Sequence, residues 1–127
     1  MITNEIKKII DNYEGISWLD VEDNGEGTLI GISVNYVDTL QFDEETYNKW
    51  EDFLDGIDII KPTYQIYCSW DKSGYNFWNK NQEESNHTYI NIWLSDEFED
   101  KDIESLFYEI NDILYRIDMF LNYNTNN

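Results

Sequence analysis

The spacing of apolar residues predicts an α+β fold: an antiparallel sheet of four to five strands with three helices, in the order α-β-β-α-β-β-β-α. Three observations carry this expectation. Apolar residues recur at steps of three and four in three separate stretches. Between those stretches they alternate with polar residues at a period of two. Short turns, not helical crossovers, join the alternating stretches. A 15.3 kDa chain is expected to expose about 7,000 Å² folded against about 22,000 Å² unfolded, which is enough burial for one core. Residues 1–122 therefore read as a single domain and 123–127 as a loose polar tail.

The first helix is expected over Thr3 to Glu14, where Ile2, Ile6, Ile9, Ile10 and Tyr13 share a face and Gly15 supplies a stop. A strand from Ile16 to Val21 follows, then the turn Glu22-Asp23-Asn24-Gly25-Glu26-Gly27 and a second strand from Thr28 to Val37. Ile30, Ile32, Val34 and Tyr36 fall on one face of that strand and Gly31, Ser33 and Asn35 on the other, the pattern of a hairpin with one solvated side. The second helix spans Asp43 to Asp55. Asp43 can cap it, Glu44 and Glu45 suit the positive end of its dipole, and Gly56 ends it. At about 100° per residue, Tyr47, Trp50, Phe53 and Leu54 occupy one arc of about 120°. Glu44, Glu45, Asn48, Glu51, Asp52 and Asp55 occupy the opposite arc.

Pro62 introduces a strand from Thr63 to Trp70, in which Tyr64, Ile66, Cys68 and Trp70 alternate. The turn Asp71-Lys72-Ser73-Gly74 leads to a short strand at Tyr75 to Trp78. A polar loop from Asn79 to Asn86 then reaches a strand from His87 to Leu94 whose apolar face is Ile90, Ile92 and Leu94. The last helix runs from Lys101 to Asn122 through Ile103, Leu106, Phe107, Ile110, Ile113, Leu114, Ile117, Phe120 and Leu121, with Asp100 or Asp102 as a cap.

Charge narrows the classes of function. With 27 Asp and Glu against 8 Lys and Arg, the net charge is −19, so unaided binding to DNA, RNA or an anionic membrane is opposed by repulsion. Disorder is not expected, since 41% of residues are hydrophobic and 17% aromatic. No run approaches the roughly 18 apolar residues of a membrane span, and Met1-Ile2-Thr3-Asn4-Glu5 lacks the pattern of a secretory signal. Together with the single cysteine, Cys68, this leads to the expectation of a cytoplasmic protein. Alanine is absent and arginine occurs once beside abundant Ile, Asn, Tyr and Lys. These residues have AT-rich codons, which suits an AT-rich bacterium, its phage or a mobile element.

Catalytic and metal chemistry find little footing. Asp20, Glu22, Asn24 and Gly25 match the first positions of a calcium loop, but Gly31 stands where its bidentate Glu belongs, and the segment reads better as a hairpin turn. Cys68 and His87 are the only thiol and imidazole. They lie in different strands, with Cys68 on the apolar face, so neither a nucleophilic pair nor a soft-metal cluster is expected. Arg116 lies inside the last helix, away from any Gly-rich phosphate loop. The expectation is a protein that is not an enzyme and holds no cofactor. A carboxylate- or metal-dependent enzyme is the third alternative, because so many acids make chance pairs inevitable.

Binding is the better-supported class. Trp50, Phe53, Phe107 and Phe120 belong to the core by periodicity, whereas several of Tyr67, Tyr75, Tyr89, Trp78 and Trp93 fall opposite the aliphatic face. A sheet face with Tyr67, Tyr89, Asn91 and Trp93 suits recognition. It equally suits coverage by the first helix or by a second copy of the chain in a homodimer. Between Lys8 and Lys49 stand Asp11, Glu14, Asp20, Glu22, Asp23, Glu26, Asp38, Asp43, Glu44 and Glu45 with no base. A second run holds Asp96, Glu97, Glu99, Asp100, Asp102 and Glu104 around Lys101. Solubility needs a net charge of only about 2–8 in magnitude, and a larger excess destabilises the fold by self-repulsion. Asp43, Glu44, Glu45, Glu51, Asp52, Asp55 and Asp58 span about 22 Å of nominal helical rise, about one charge per 3 Å. That spacing is comparable with one phosphate strand.

In overall character the chain resembles the phage-encoded anti-restriction and anti-CRISPR inhibitors. The resemblance is compositional and covers no motif. It implies a small acidic inhibitor that binds a basic nucleic-acid-handling protein by mimicking the charge of DNA or RNA. An immunity protein neutralising a basic toxin such as a nuclease is the alternative. In either case the expected contact is Glu44, Glu45, Glu51, Asp52, Asp55 and Asp58, with Asp96, Glu97, Glu99 and Asp100 next.

Overall fold

The computed structural model describes residues 2–37, 42–71 and 87–125. The elements are α1 (Ile2–Ile10), β1 (Ser17–Asp23), β2 (Gly27–Ser33), α2 (Glu44–Asp55), β3 (Asp58–Ile60), β4 (Tyr64–Asp71), β5 (His87–Ser95) and α3 (Ile103–Thr125). They form a five-stranded antiparallel sheet in the order β1-β2-β5-β4-β3 with three helices, an α+β fold in the expected element order. The expected strand at Tyr75 to Trp78 lies outside the described residues. The third strand found between α2 and α3 is the short β3, whose three residues are too few for a periodic signal.

Alternation sorts the strands into two faces. Ile30, Ile32, Ile66, Cys68, Ile90, Ile92 and Leu94 point inward and are buried. They join Ile6 and Ile10 of α1, Tyr47, Trp50 and Leu54 of α2, and Leu106, Ile110, Ile113 and Ile117 of α3 in one core. The helices therefore cover a single face of the sheet. An aromatic seam reinforces this core where α2 meets α3 and β4: Trp50 lies 5.2 Å from Phe120, and Tyr47 stacks on Trp70 at 5.1 Å. Phenolic bonds tie elements across the chain, Tyr64 Oη to Ser105 Oγ at 2.7 Å and Tyr36 Oη to the Asp118 carboxylate at 3.0 Å. Burial, with the Asp118 charge beside it, raises the Tyr36 hydroxyl well above its ordinary range.

Several boundaries differ from the periodic expectation, each for a local reason. α1 ends at Ile10 instead of Glu14 because the chain tightens: Asn12 and Tyr13 N–H donate three residues back, to Ile9 and Ile10, and the Asn12 side chain caps the Lys8 carbonyl. Gly15 then takes a positive φ of 83°. β2 stops at Ser33, since Asn35–Val37 form a 3₁₀ turn that takes Tyr36 out of the strand, while Val34 stays buried and bonds Thr88. Asp43 caps α2 as expected, accepting the Thr46 N–H at 2.8 Å. α3 is entered through a 3₁₀ turn, Asp100–Asp102, in which the Asp102 carboxylate accepts the Glu99 N–H. It continues to Thr125, so residues 123–125, expected in the tail, form its last turn. The β1–β2 connection is a turn with Gly25 at φ 84°, in which the Asn24 side chain accepts from Glu26 and Gly27 N–H.

Candidate functional site

The outward-pointing residues of the sheet lie in rows fixed by strand register. One row crosses all five strands as Glu22, Leu29, Trp93, Gln65 and Ile60. The next runs Asp20, Gly31, Asn91, Tyr67 and Asp58, and a third Ser17, Ser33, Tyr89 and Ser69. Tyr67, Tyr89, Asn91 and Trp93 thus share this outer face as the alternation implied. α1 packs into the core with the other helices instead of covering them. Tyr67 remains 37% exposed.

A bulge in β1 shapes this face. The register shifts between Trp18 and Asp20, which lets Trp18 and Val21 pair opposite the inward Ile32 and Ile30 while Asp20 and Glu22 turn outward. Leu19, the residue between, lies over Gly31, where a Cβ would stand 3.5 Å from its Cδ2. Gly27 is more demanding. A Cβ there would come within 2.5 Å of the Leu94 carbonyl oxygen and 2.9 Å of the Trp93 indole, so glycine lets the indole lie against the β2 backbone. Between the turn and the middle strands is a cleft of about 430 Å³ lined by Glu22, Asn24, Leu29, Gln65, Tyr67 and Trp93. The Gln65 amide donates to the Asp58 carboxylate at 3.0 Å, and the Asn91 amide donates to Ser69 Oγ at 2.8 Å.

The acidic residues named from sequence occupy two other places. Glu44, Glu45, Asp52 and Asp55 are exposed on α2, and Asp58 is exposed on β3, which follows α2 directly. Glu51 is a correction: it is half-buried and engaged, not a free member of the solvent arc. Four residues beyond Tyr47 advance the helix by only about 40° from that buried side chain, which places Glu51 on the shoulder of the apolar arc. Asp96, Glu97, Glu99 and Asp100 are exposed in the β5–α3 connection. Lysines stand beside two of these acids, Lys49 at 3.6 Å from Glu45 and Lys101 at 3.7 Å from Glu99, while Lys61 lies 3.7 Å from Glu109.

The other chemical candidates separate in space. Cys68 points inward, and burial pushes its thiol up to about 12 despite the opposing pull of Arg116. His87 precedes the inward Thr88 and so belongs to the opposite face, which parts the thiol from the imidazole. Among the described residues no group of three His, Cys, Asp or Glu side chains is placed to hold a metal ion. No described helix is long and apolar enough to cross a membrane.

Sequence reasoning placed Tyr67 and Trp93 but missed Leu29, Gln65 and Glu22 as their companions. Alternation alone assigns Leu29 and Gln65 to the outer face, but their meeting depends on register between distant strands. Comparison with protein-family models, curated proteins and solved structures returned no match.

Proposed function

We propose that this protein is a small acidic inhibitor that occupies the basic surface of a nucleic-acid-handling protein, its carboxylates standing where phosphates would bind. One observation carries the proposal: Glu44, Asp52, Asp55 and Asp58 are all exposed on α2 and the strand that follows it, opposite the buried Tyr47, Trp50 and Leu54. A capped helix holds Glu44, Asp52 and Asp55, and a paired strand holds Asp58, in position before any partner arrives, so little ordering cost is incurred on docking. A chain with a net charge of −19 would be steered to a basic partner at a rate that falls with ionic strength.

The test begins by retaining host proteins on the immobilised chain. A nucleic-acid-binding protein is expected, released as salt rises from about 50 to 200 mM and displaced by DNA or RNA that does not itself bind the chain. The triple variant Glu44→Gln, Asp52→Asn, Asp55→Asn should slow association about tenfold with little effect on stability. Tight binding indifferent to salt and to the triple variant would overturn the proposal. A retained nuclease toxin that nucleic acid cannot displace would favour the immunity alternative.

A further inference from the structure

The outer-face cleft is separate from the acidic arc of α2 and has a different character. Its floor is apolar and aromatic, formed by Leu29, Trp93 and Tyr67, while its polar wall is Glu22, Asn24 and Gln65. Trp93 and Gln65 are directly paired across β5 and β4, and Tyr67 is the diagonal neighbour of Trp93, within reach of one guest side chain. Glu22 is two strands from Trp93 in the same row, about 10 Å at the spacing of sheet strands. That interval lets a guest lie on the indole and still reach the carboxylate.

Charge identifies the guest. Asp20 and Glu22 stand at the β1 edge of the rows and Asp58 at the β3 edge, with Glu26 on the adjoining turn. No Lys or Arg occurs among the described residues of this face, and Lys61, at the nearby β3–β4 turn, reaches Glu109 of α3 instead. An anionic ligand such as a nucleotide or phosphopeptide would be repelled, and a second copy of this chain would bring the same acids. A cation is attracted twice, by the acidic rim and by the electron-rich faces of Trp93 and Tyr67. A planar guanidinium stacks on an indole and pairs with a carboxylate through its N–H fork, which a lysine ammonium does not do.

We infer that the Trp93–Tyr67–Glu22 cleft is a binding site for an arginine side chain presented by a basic segment of another protein. The inference rests on the reading that the partner is basic, but it places an anchor on the sheet where that reading places a field on α2. Trp93 is preorganised for the role because Gly27 lets its ring lie against the sheet.

The test uses the full chain, labelled with ¹⁵N, and a short capped peptide with a single arginine flanked by glycines. Its counterpart carries citrulline, which keeps the shape and removes the charge. The indole N–H signal of Trp93, assigned by its loss in Trp93→Phe, and the Gln65 amide signals should move on titration with the arginine peptide and stay in place with the citrulline one. Glu22→Gln should weaken binding about fivefold, whereas neutralising Glu44, Asp52 and Asp55 on α2 should change it less than about twofold. Equal response to the citrulline peptide would overturn the inference. So would a loss in the α2 variant as large as that in Glu22→Gln, which would reduce the effect to the general field. Peptide binding in the cleft, with no nucleic-acid-handling protein retained by the immobilised chain, would support the arginine site and remove the mimic reading. Retention of such a protein with an unmoved Trp93 signal would remove the arginine site alone.

Discussion

The two faces of the sheet are built from the same strands yet differ in every respect that matters for function. Along β5, Thr88, Ile90, Ile92 and Leu94 turn inward and are buried, while His87, Tyr89, Asn91, Trp93 and Ser95 turn outward and are half-buried. Aliphatic β-branched side chains fill the interior because they pack densely with few rotamers to lose. The outer face instead carries rings with polar rims, amides, small hydroxyls and carboxylates. Inward and outward side chains thus alternate along one chain, and a substitution on one face should leave the other largely intact.

That independence can be tested by substitution, beginning with the interior. Ile110 of α3 is fully buried. Ile110→Asp should lower the free energy of unfolding by about 4 kcal/mol or more, read by denaturant titration, because an unpaired charge replaces a packed side chain. A variant that melts like the parent would show that α3 presents another face to the sheet. Neighbouring residues give the sharper contrast. Ile92→Ala should cost about 3 kcal/mol through the lost apolar burial and the cavity left behind. Asn91→Ala, one residue away and facing outward, should cost under about 1 kcal/mol, since it removes only the bond to Ser69. Similar losses in the two would deny the division between the faces.

The smallest expected effect is a gain. Thr88 is fully buried on the inner side of β5, and among the described residues its hydroxyl has no hydrogen-bond partner. Thr88→Val should therefore raise stability by about 1 kcal/mol, measured as a higher denaturant midpoint at unchanged slope. A loss of stability would mean that the hydroxyl bonds in solution.

The inner face was readable from the chain because it rests on local geometry. A period of two in β2, β4 and β5 and of 3.6 in α2 and α3 says which side chains lie together on one element, whatever that element packs against. The same holds for the Asp43 cap and for the turn at Gly25, whose bonds join residues a few positions apart. Glu51 marks the margin of such reasoning: angular position on a helix sorts the centre of each arc, while the shoulders depend on what packs beside them.

The arginine cleft lay beyond that reach. Its parts come from β1, β2, β4 and β5, and bringing Leu29 beside Trp93 requires the β2–β5 pairing between segments far apart in sequence. The bulge at Leu19 decides whether Asp20 and Glu22 face the solvent side of the sheet or its core, because one extra residue exchanges the faces of everything after it. β3, which brings Asp58 to the opposite edge, is defined by three backbone pairings with β4 and not by any pattern of its own. Periodicity and capping follow from interactions within a few residues, so the chain alone states them. Register, strand order and the meeting of an indole with a distant carboxylate are set by which long-range pairings bury the common core, and these exist only once the sheet has assembled.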